Sequence, residues 1–286
     1  MERRDLIKYL ALSPLLMSFK NYESFLDYET PDFKGHINHS VCRWIFNELS
    51  IEALCQLVKV LGFNAIDLVE PKDFKVLKQY GIDSSMCTGA HISLEKGFCN
   101  PKYHDELEER YKKHINLVAD AGYKNLICFT GNKNGMSSEE GLIHSAEGLK
   151  RILPLAEKRG VTIQLELFNS IVDHKDYMAD HSAWGIELCK ALGSEHFKLL
   201  YDIYHMQIME GNIIANIKEN YEYFGHYHTA GVPGRHEIDE SQELNYKPIM
   251  QAIYDTGFTG YVAQEFIPKD ENKVKSLANA LYICDI

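Results

Sequence analysis

The feature that most constrains the fold of this chain is a regular alternation of short apolar runs and amphipathic stretches, which starts near residue 34. Each apolar run has the length of a β-strand, and each stretch after it has the length of a helix. Such alternation predicts parallel strands joined by helical crossovers, because neighbouring parallel strands need a long connection. The candidate strands are Gly35–Val41, Ala65–Val69, Ser84–Ala90, Asn125–Thr130, Val161–Leu167, Phe197–Asp202, Tyr223–Thr229 and Tyr261–Phe266.

Polar caps and glycines mark the ends of the candidate helices. One stretch opens at Ser50, and another opens at Ser137 and is followed by Gly160. A serine accepts a hydrogen bond from a free backbone amide, and a glycine adopts the left-handed conformation that ends many helices. The candidate helices are Ser50–Leu61, Asp73–Tyr80, Pro101–Ala121, Ser137–Arg159, Ser182–Leu192, Asn212–Asn220, Tyr246–Thr256 and Glu271–Tyr282.

Eight such units over about 250 residues predict an α/β fold of one closed (β/α)8 barrel. A doubly wound open sheet is the alternative, and such sheets often carry a glycine-rich turn after the first strand. Here residues 38–44 read Asn-His-Ser-Val-Cys-Arg-Trp, which contains no glycine. The sequence shows no linker or low-complexity tract, so we expect a single barrel domain over residues 31–286.

Composition excludes several classes of protein. The 286 residues include 30 Lys and Arg against 41 Asp and Glu, a net charge of −11, which opposes nucleic-acid binding. The seven cysteines are scattered and form no C-x-x-C pair, which argues against disulfides and against a thiolate zinc site. No apolar run reaches the roughly 18 residues of a membrane span. We therefore expect no nucleic-acid or membrane partner, and homo-oligomer formation stays open.

The N-terminal segment, residues 1–30, resembles a twin-arginine export signal. Arg3 and Arg4 are followed by Leu6, Ile7 and Lys8 and then by a short apolar run. A proline interrupts that run and no A-x-A cleavage site follows, so a short helix packed on the barrel is the alternative. Both a cytoplasmic and a periplasmic location remain open.

Four successive candidate strands end in residues that could bind a metal ion. Glu166, Asp202, His228 and Glu265 lie at or near the ends of strands five to eight. In a barrel these ends meet at one rim, and strand alternation points Glu166 inward. Each residue alone has an ordinary structural interpretation, such as a cap or an ion pair. Three carboxylates and an imidazole together favour a divalent cation, Mn²⁺ or Mg²⁺ first and Co²⁺ or Zn²⁺ as alternatives.

Two of these carboxylates, Glu166 and Glu265, would flank a substrate in the barrel mouth from two sides. A metal ion that chelates a ketone and its neighbouring hydroxyl makes the carbon-bound proton acidic. One carboxylate can then take that proton while the other returns one. The sequence therefore predicts an isomerase or epimerase that acts next to a carbonyl of a small substrate.

At these residues the sequence resembles the hydroxypyruvate isomerase family of the xylose-isomerase-like barrels. This likeness implies Glu166, Asp202, His228 and Glu265 as metal ligands, with Glu166 and Glu265 as the proton-transfer pair. It also implies that His205 and Arg235 contact the substrate, a small keto acid or sugar, and that hydroxypyruvate becomes tartronate semialdehyde. The matching segments are Ile66–Pro71, Leu165–Asn169, Tyr201–Gln207, Ala230–Glu237, Leu244–Tyr246 and Gln264–Phe266.

The chain also departs from that family's pattern. His228 is the third ligand of the related ketose 3-epimerases, whereas some hydroxypyruvate isomerases have Gln there. The epimerases carry Asn-Arg and a further Glu after the first ligand, where this chain has Asn169-Ser170 and Val172. A ketose 3-epimerase is therefore the alternative. From other classes, a metal-dependent phosphodiesterase or endonuclease would need more His and Asp ligands, and a non-catalytic sugar-binding barrel would have lost a ligand.

Two aromatic residues near these strand ends have less specific interpretations. Trp44 follows the first strand and is either an apolar wall of the substrate site or a packed loop aromatic. His226 precedes His228 by two residues and is interpreted as a hydrogen-bonded core histidine.

Overall fold

The computed structural model describes residues 33–286, and the twin-arginine-like segment lies outside them. Eight parallel strands form one sheet in the order β3-β2-β1-β8-β7-β6-β5-β4, so the first and last strands are neighbours. This arrangement confirms the predicted (β/α)8 barrel. The strands are β1 Asn38–Cys42, β2 Ala65–Asp67, β3 Asp83–Ser84, β4 Asn125–Cys128, β5 Thr162–Glu166, β6 Phe197–Asp202, β7 Phe224–Thr229 and β8 Tyr261–Gln264.

The barrel closes through Cys87, between β3 and β4. The Cys87 amide donates to the Asn125 carbonyl (2.9 Å), and the Cys87 carbonyl accepts from the Ile127 amide (3.0 Å). The regular part of β3 is shorter than the predicted strand. The Ser84 hydroxyl donates to the Met86 carbonyl (3.1 Å), a local side-chain bond that competes with the strand ladder.

The helices follow the strands as predicted, with two differences. The predicted helix 137–159 breaks at residues 151–152, because Pro154 lacks an amide hydrogen and its ring clashes with a preceding carbonyl. A helix after β6 was not predicted. The helices are α1 Ile51–Leu61, α2 Phe74–Tyr80, α3 His104–Asp120, α4 Ser138–Lys150, α5 Leu153–Arg159, α6 Ser182–Leu192, α7 Ile203–Met209, α8 Ile213–Asn220, α9 Tyr246–Asp255 and α10 Lys273–Cys284.

The apolar core lies between the barrel wall and the helices. Leu199 of β6 is fully buried and faces α6, where a Cβ on Gly185 would lie 2.9 Å from both Leu199 methyl carbons. Glycine at this position therefore lets the helix pack closely on the strand. Within the described part of the chain, no helix is long and apolar enough to cross a bilayer.

Candidate active site

The structure brings Glu166, Asp202, His228 and Glu265 together at the carboxyl ends of β5 to β8. One ligand atom from each residue lies within 4.8 Å of the others, and all four side chains are buried. These are the four residues that the strand ends predicted. The cluster sits where a (β/α)8 barrel places its chemistry.

Strand alternation positions Glu166, because Gln164 two residues earlier also points into the barrel. The Gln164 amide nitrogen donates to Asn125 Oδ1 of β4 (2.9 Å) and to the Gly225 carbonyl of β7 (3.3 Å). A Cβ on Gly225 would lie 2.7 Å from Gln164 Oε1, so this crossing of the barrel interior requires glycine. Glu166 is two residues further along β5, so its side chain also points inward, at the mouth of the barrel.

Glu265 is the most tightly held carboxylate of the cluster. Its Oε1 accepts from the indole nitrogen of Trp44 (3.1 Å), and its Oε2 contacts Arg235 and lies 2.9 Å from His228 Nδ1. Burial alone would raise its pKa, but the charges of Arg235 and His228 hold the pKa of Glu265 well below its ordinary range. Glu265 is therefore ionised at neutral pH.

The pKa values of Glu166 and Asp202 are shifted in the opposite direction. Burial and the charge of Glu265 raise the pKa of Glu166 to about 7. Burial also raises the pKa of Asp202 to about 8, against the lowering effect of Arg235. Glu166 Oε1 lies 3.2 Å from His228 Nδ1 and Asp202 Oδ2 lies 3.6 Å from Arg235, yet neither buried oxygen accepts a well-formed hydrogen bond from the described residues. Such oxygens are costly to bury alone, and together with the donor set they fit a divalent cation.

Arg235 enters the cluster from the loop after β7. Its backbone has a φ of +60°, and its carbonyl accepts from the Ile267 amide after β8 (2.6 Å), which joins the two loops. The guanidinium contacts Glu265, lies 3.6 Å from Asp202 Oδ2, and stands 5.7 Å from the ring centre of Trp44. The structure therefore places this arginine beside the cluster and not at the surface.

His205 lies in the first turn of α7, which Asp202 caps through the amides of Tyr204 (2.8 Å) and His205 (3.3 Å). The side-chain amide of Asn169 lies 2.7 Å from His205 Nδ1. An amide nitrogen can only donate, so Nδ1 accepts and Nε2 carries the hydrogen. Burial and the charge of Arg235 lower the pKa of His205 well below its ordinary value, which keeps the ring neutral. Its buried Nε2 lies 3.5 Å from Asp202 Oδ2 and has no hydrogen-bond partner within residues 33–286.

Sequence reasoning missed Asp67, the last residue of β2. His228 Nε2 lies 3.0 Å from its Oδ1, and His226 Nε2 lies 2.9 Å from its Oδ2. The predicted strand ran on to Val69, which placed Asp67 in its middle, whereas in the structure the strand ends at Asp67. Trp44 also contacts the site through its N–H, so neither an apolar wall nor a packed loop aromatic describes it fully.

Comparison with known families agrees with this fold. The profile described as "Xylose isomerase-like TIM barrel" matches residues 55–282, most of the chain. The chain belongs to this family. A solved structure titled as a family 2 AP endonuclease from Brucella melitensis superposes with a TM-score of 0.78 over 86% of this chain and 99% of that chain. Its sequence identity is 21%, which supports the fold alone.

Three curated relatives carry isomerase or epimerase names. The 2-oxo-tetronate isomerase of Cupriavidus necator is 34% identical over 114 residues, 40% of this chain and 43% of the relative. The hydroxypyruvate isomerase of Escherichia coli K12 is 24% identical over 236 residues, 79% of this chain and 91% of the relative. The D-psicose 3-epimerase of Ruminiclostridium cellulolyticum is 29% identical over 168 residues, 57% and 53% of the two chains. The chain thus spans about half the length of the first and third of these relatives.

Proposed function

We propose that this chain is a metal-dependent isomerase that moves a carbonyl between adjacent carbons of a small hydroxy-keto acid or sugar, as in the conversion of hydroxypyruvate to tartronate semialdehyde. The observation that carries the proposal is that Glu166 and Glu265 both lie beside His228 Nδ1, at 3.2 Å and 2.9 Å. In the metal-free protein their surroundings shift the two pKa values in opposite directions, so the two carboxylates are not equivalent.

In this proposal Glu166, Asp202, His228 and Glu265 hold a divalent cation, with Mn²⁺ or Mg²⁺ favoured over Co²⁺ or Zn²⁺. Carboxylate-rich donor sets suit the first two ions, and the cluster contains no thiolate. When bound, the ion polarises the substrate carbonyl and hydroxyl and makes the carbon-bound proton between them acidic. The remaining steps belong to side chains of the protein.

Glu265 takes the carbon-bound proton, because Arg235 and Trp44 hold its carboxylate ionised and fixed in place. Glu166 returns a proton to the neighbouring carbon, and the substrate hydroxyl proton passes to the former carbonyl oxygen, which completes the movement of the carbonyl. His205 donates from Nε2 to a substrate oxygen. The Arg235 Nε atom has no hydrogen-bond partner in the described part of the chain, and it binds a substrate carboxylate.

A second candidate, a ketose 3-epimerase, uses the same proton transfer but returns the proton to the original carbon. The similarity to a D-psicose 3-epimerase over 57% of the chain favours it, as does His228 in the third ligand position. The two candidates differ in product, so one experiment distinguishes them.

The test is deuterium exchange followed by NMR. We expect the Mn²⁺-loaded protein in D₂O to incorporate deuterium into hydroxypyruvate or one of a panel of ketoses, and the labelled product identifies isomerase or epimerase. Glu265→Gln should lower the exchange rate by about 10²–10⁴-fold, the usual contribution of a general base. Glu219→Gln, an exposed residue on α8, is the matched control and should exchange like the parent protein.

Two results would contradict the proposal. One is an absence of exchange with every compound despite a bound ion, which would favour a hydrolase or a binding protein. The other is undiminished exchange in Glu265→Gln, which would remove the two-carboxylate mechanism.

A further inference from the structure

Asp67 lies directly behind the cluster, on the side of His228 that faces away from the other ligands. Its side chain is fully buried, as are those of His226 and His228. The two histidines are two residues apart and therefore lie on the same face of β7. Each directs its Nε2 at one oxygen of Asp67. The Ser85 hydroxyl, just after β3, also donates to Oδ2 of Asp67, so residues from two sides of the barrel hold the carboxylate.

The contacts of Asp67 determine the role of each nitrogen of His228. The ionised carboxylate has no hydrogen to give, so the Nε2 atom 3.0 Å away must donate to it. Although burial opposes it, the neighbouring carboxylates raise the pKa of His228, so the metal-free ring also carries a proton on Nδ1. A bound cation would displace that proton, which leaves the hydrogen on Nε2 and the lone pair on Nδ1. That atom lies 2.9 Å from Glu265 Oε2 and 3.2 Å from Glu166 Oε1, inside the cluster.

We infer that Asp67 is a positioning residue, which holds the His228 ring through Nε2 so that Nδ1 faces Glu166 and Glu265 as a ligand. This inference rests on the proposed metal centre. A carboxylate behind a ligating histidine fixes the ring and raises the basicity of the ligating nitrogen. The side-chain amide of Asn169 fixes the His205 ring in a similar way, and Asp67 is the charged partner that fixes His228.

Asp67 is better suited to this role than to a second metal site. Cys42, Asp67 and His228 also lie within ligand distance of one another. However, both oxygens of Asp67 already accept from donors, and His228 has only one lone pair to offer while it faces the main cluster. Burial raises the pKa of the Cys42 thiol well above its ordinary value, which keeps it protonated.

The experiment compares Asp67→Ala and Asp67→Asn with the parent protein. Free Mn²⁺ is counted by EPR during a titration, which gives the dissociation constant without any substrate. We expect Asp67→Ala to bind Mn²⁺ about 10–100-fold more weakly, the usual effect of removing such a partner. Asp67→Asn keeps an oxygen acceptor and the side-chain shape, so it should bind with intermediate affinity. The matched control is His226→Gln, which alters the same carboxylate but not the His228 contact, and its loss should stay below tenfold.

A second readout is the ¹H–¹⁵N spectrum of histidine-labelled protein without metal, with the His228 signal assigned by its loss in His228→Gln. The parent should show a hydrogen on Nε2 of His228, and Asp67→Ala should change that signal. A parent that binds no Mn²⁺ would remove the metal centre and the role of Asp67 with it. Normal Mn²⁺ binding and an unchanged His228 signal in folded Asp67→Ala or Asp67→Asn would overturn only the role of Asp67. Two ions per chain, with one lost in Asp67→Asn, would make Asp67 a ligand instead.

Discussion

Trp44 stabilises the ionised form of Glu265, because its indole N–H donates a hydrogen bond to Oε1 (3.1 Å). Trp44→Phe keeps an aromatic ring beside Arg235 but removes this donor. A hydrogen bond to a charged group contributes about 1.5–3 kcal/mol, so we expect the exchange rate to fall by about tenfold or more. NMR measurement of the rate of deuterium incorporation into the substrate checks this expectation.

The control for this change is the other tryptophan, Trp184. Its indole nitrogen donates to the Ser138 carbonyl (3.0 Å) between α6 and α4, away from the site. Trp184→Phe therefore removes the same kind of bond and should leave the exchange rate unchanged. Equal rates in Trp44→Phe and the parent protein would show that the bond to Glu265 does not matter for proton transfer.

At the scale of single residues, the sequence identified those whose position follows from a strand end. Glu166, Asp202 and Glu265 follow apolar runs, and the barrel rule alone brings them to one rim. The contact between Trp44 and Glu265 joins residues 221 positions apart. No local pattern specifies such a pairing, because it depends on where the segment after β1 lies relative to the barrel mouth.

At the scale of elements, Gly148 shows how tightly α4 packs on the start of α3 and the segment before it. A Cβ at this position would lie 2.7 Å from His104 Nε2 and 2.9 Å from Phe98 Cδ1, both buried. In an open helix Gly→Ala stabilises by about 0.5–1 kcal/mol. Here overpacking opposes that gain, so Gly148→Ala should lower the free energy of unfolding by about 1–2 kcal/mol.

Urea denaturation checks this expectation, with Glu147→Ala as the control. Glu147 is the exposed neighbour on the same helix, and its substitution should change stability by less than about 0.5 kcal/mol. A Gly148→Ala variant as stable as the parent would mean that His104 and Phe98 move aside at little cost.

The helix boundaries show which local signals are sufficient. Ser137 forms a complete capping box with Glu140, and this start of α4 lies where its sequence predicts it. Pro154 was equally visible, but the amphipathic pattern on both sides of it concealed the break between α4 and α5. The start of α7 was missed because Asp202 has two roles, as a candidate ligand and as the helix cap.

At the scale of the whole molecule, barrel closure is what creates the site. Asp67 comes from β2 and meets His228 of β7, and the hydrogen bonds of β1 and β8 place these strands in one continuous wall. Eight repeated units predicted that closure. The tight β3–β4 connection through Cys87 was not predictable, because it rests on backbone hydrogen bonds that no side-chain pattern encodes.

The proposed metal binding would also affect the stability of the whole barrel. In the metal-free protein the raised pKa values of Glu166 and Asp202, about 7 and 8, mean that the folded state holds protons that the unfolded chain has lost. Their contribution to stability is complete below about pH 4 and is lost as the pH rises through 7 and 8. His228, whose pKa is also raised, acts in the same direction. The lowered pKa of Glu265 gives a contribution that is already constant above about pH 5.

The protein treated with EDTA should therefore lose about 1–3 kcal/mol of unfolding free energy between pH 7 and pH 9, which lowers Tm by roughly 5 °C. Saturating Mn²⁺ should abolish this loss, because a cation favours the ionised carboxylates that burial otherwise penalises. Glu166→Gln removes one of the titrating groups and should flatten the profile of the metal-free protein. Scanning calorimetry at several pH values makes the measurement. A metal-free Tm that stays constant or rises over this range would contradict the arrangement of charges described for the site.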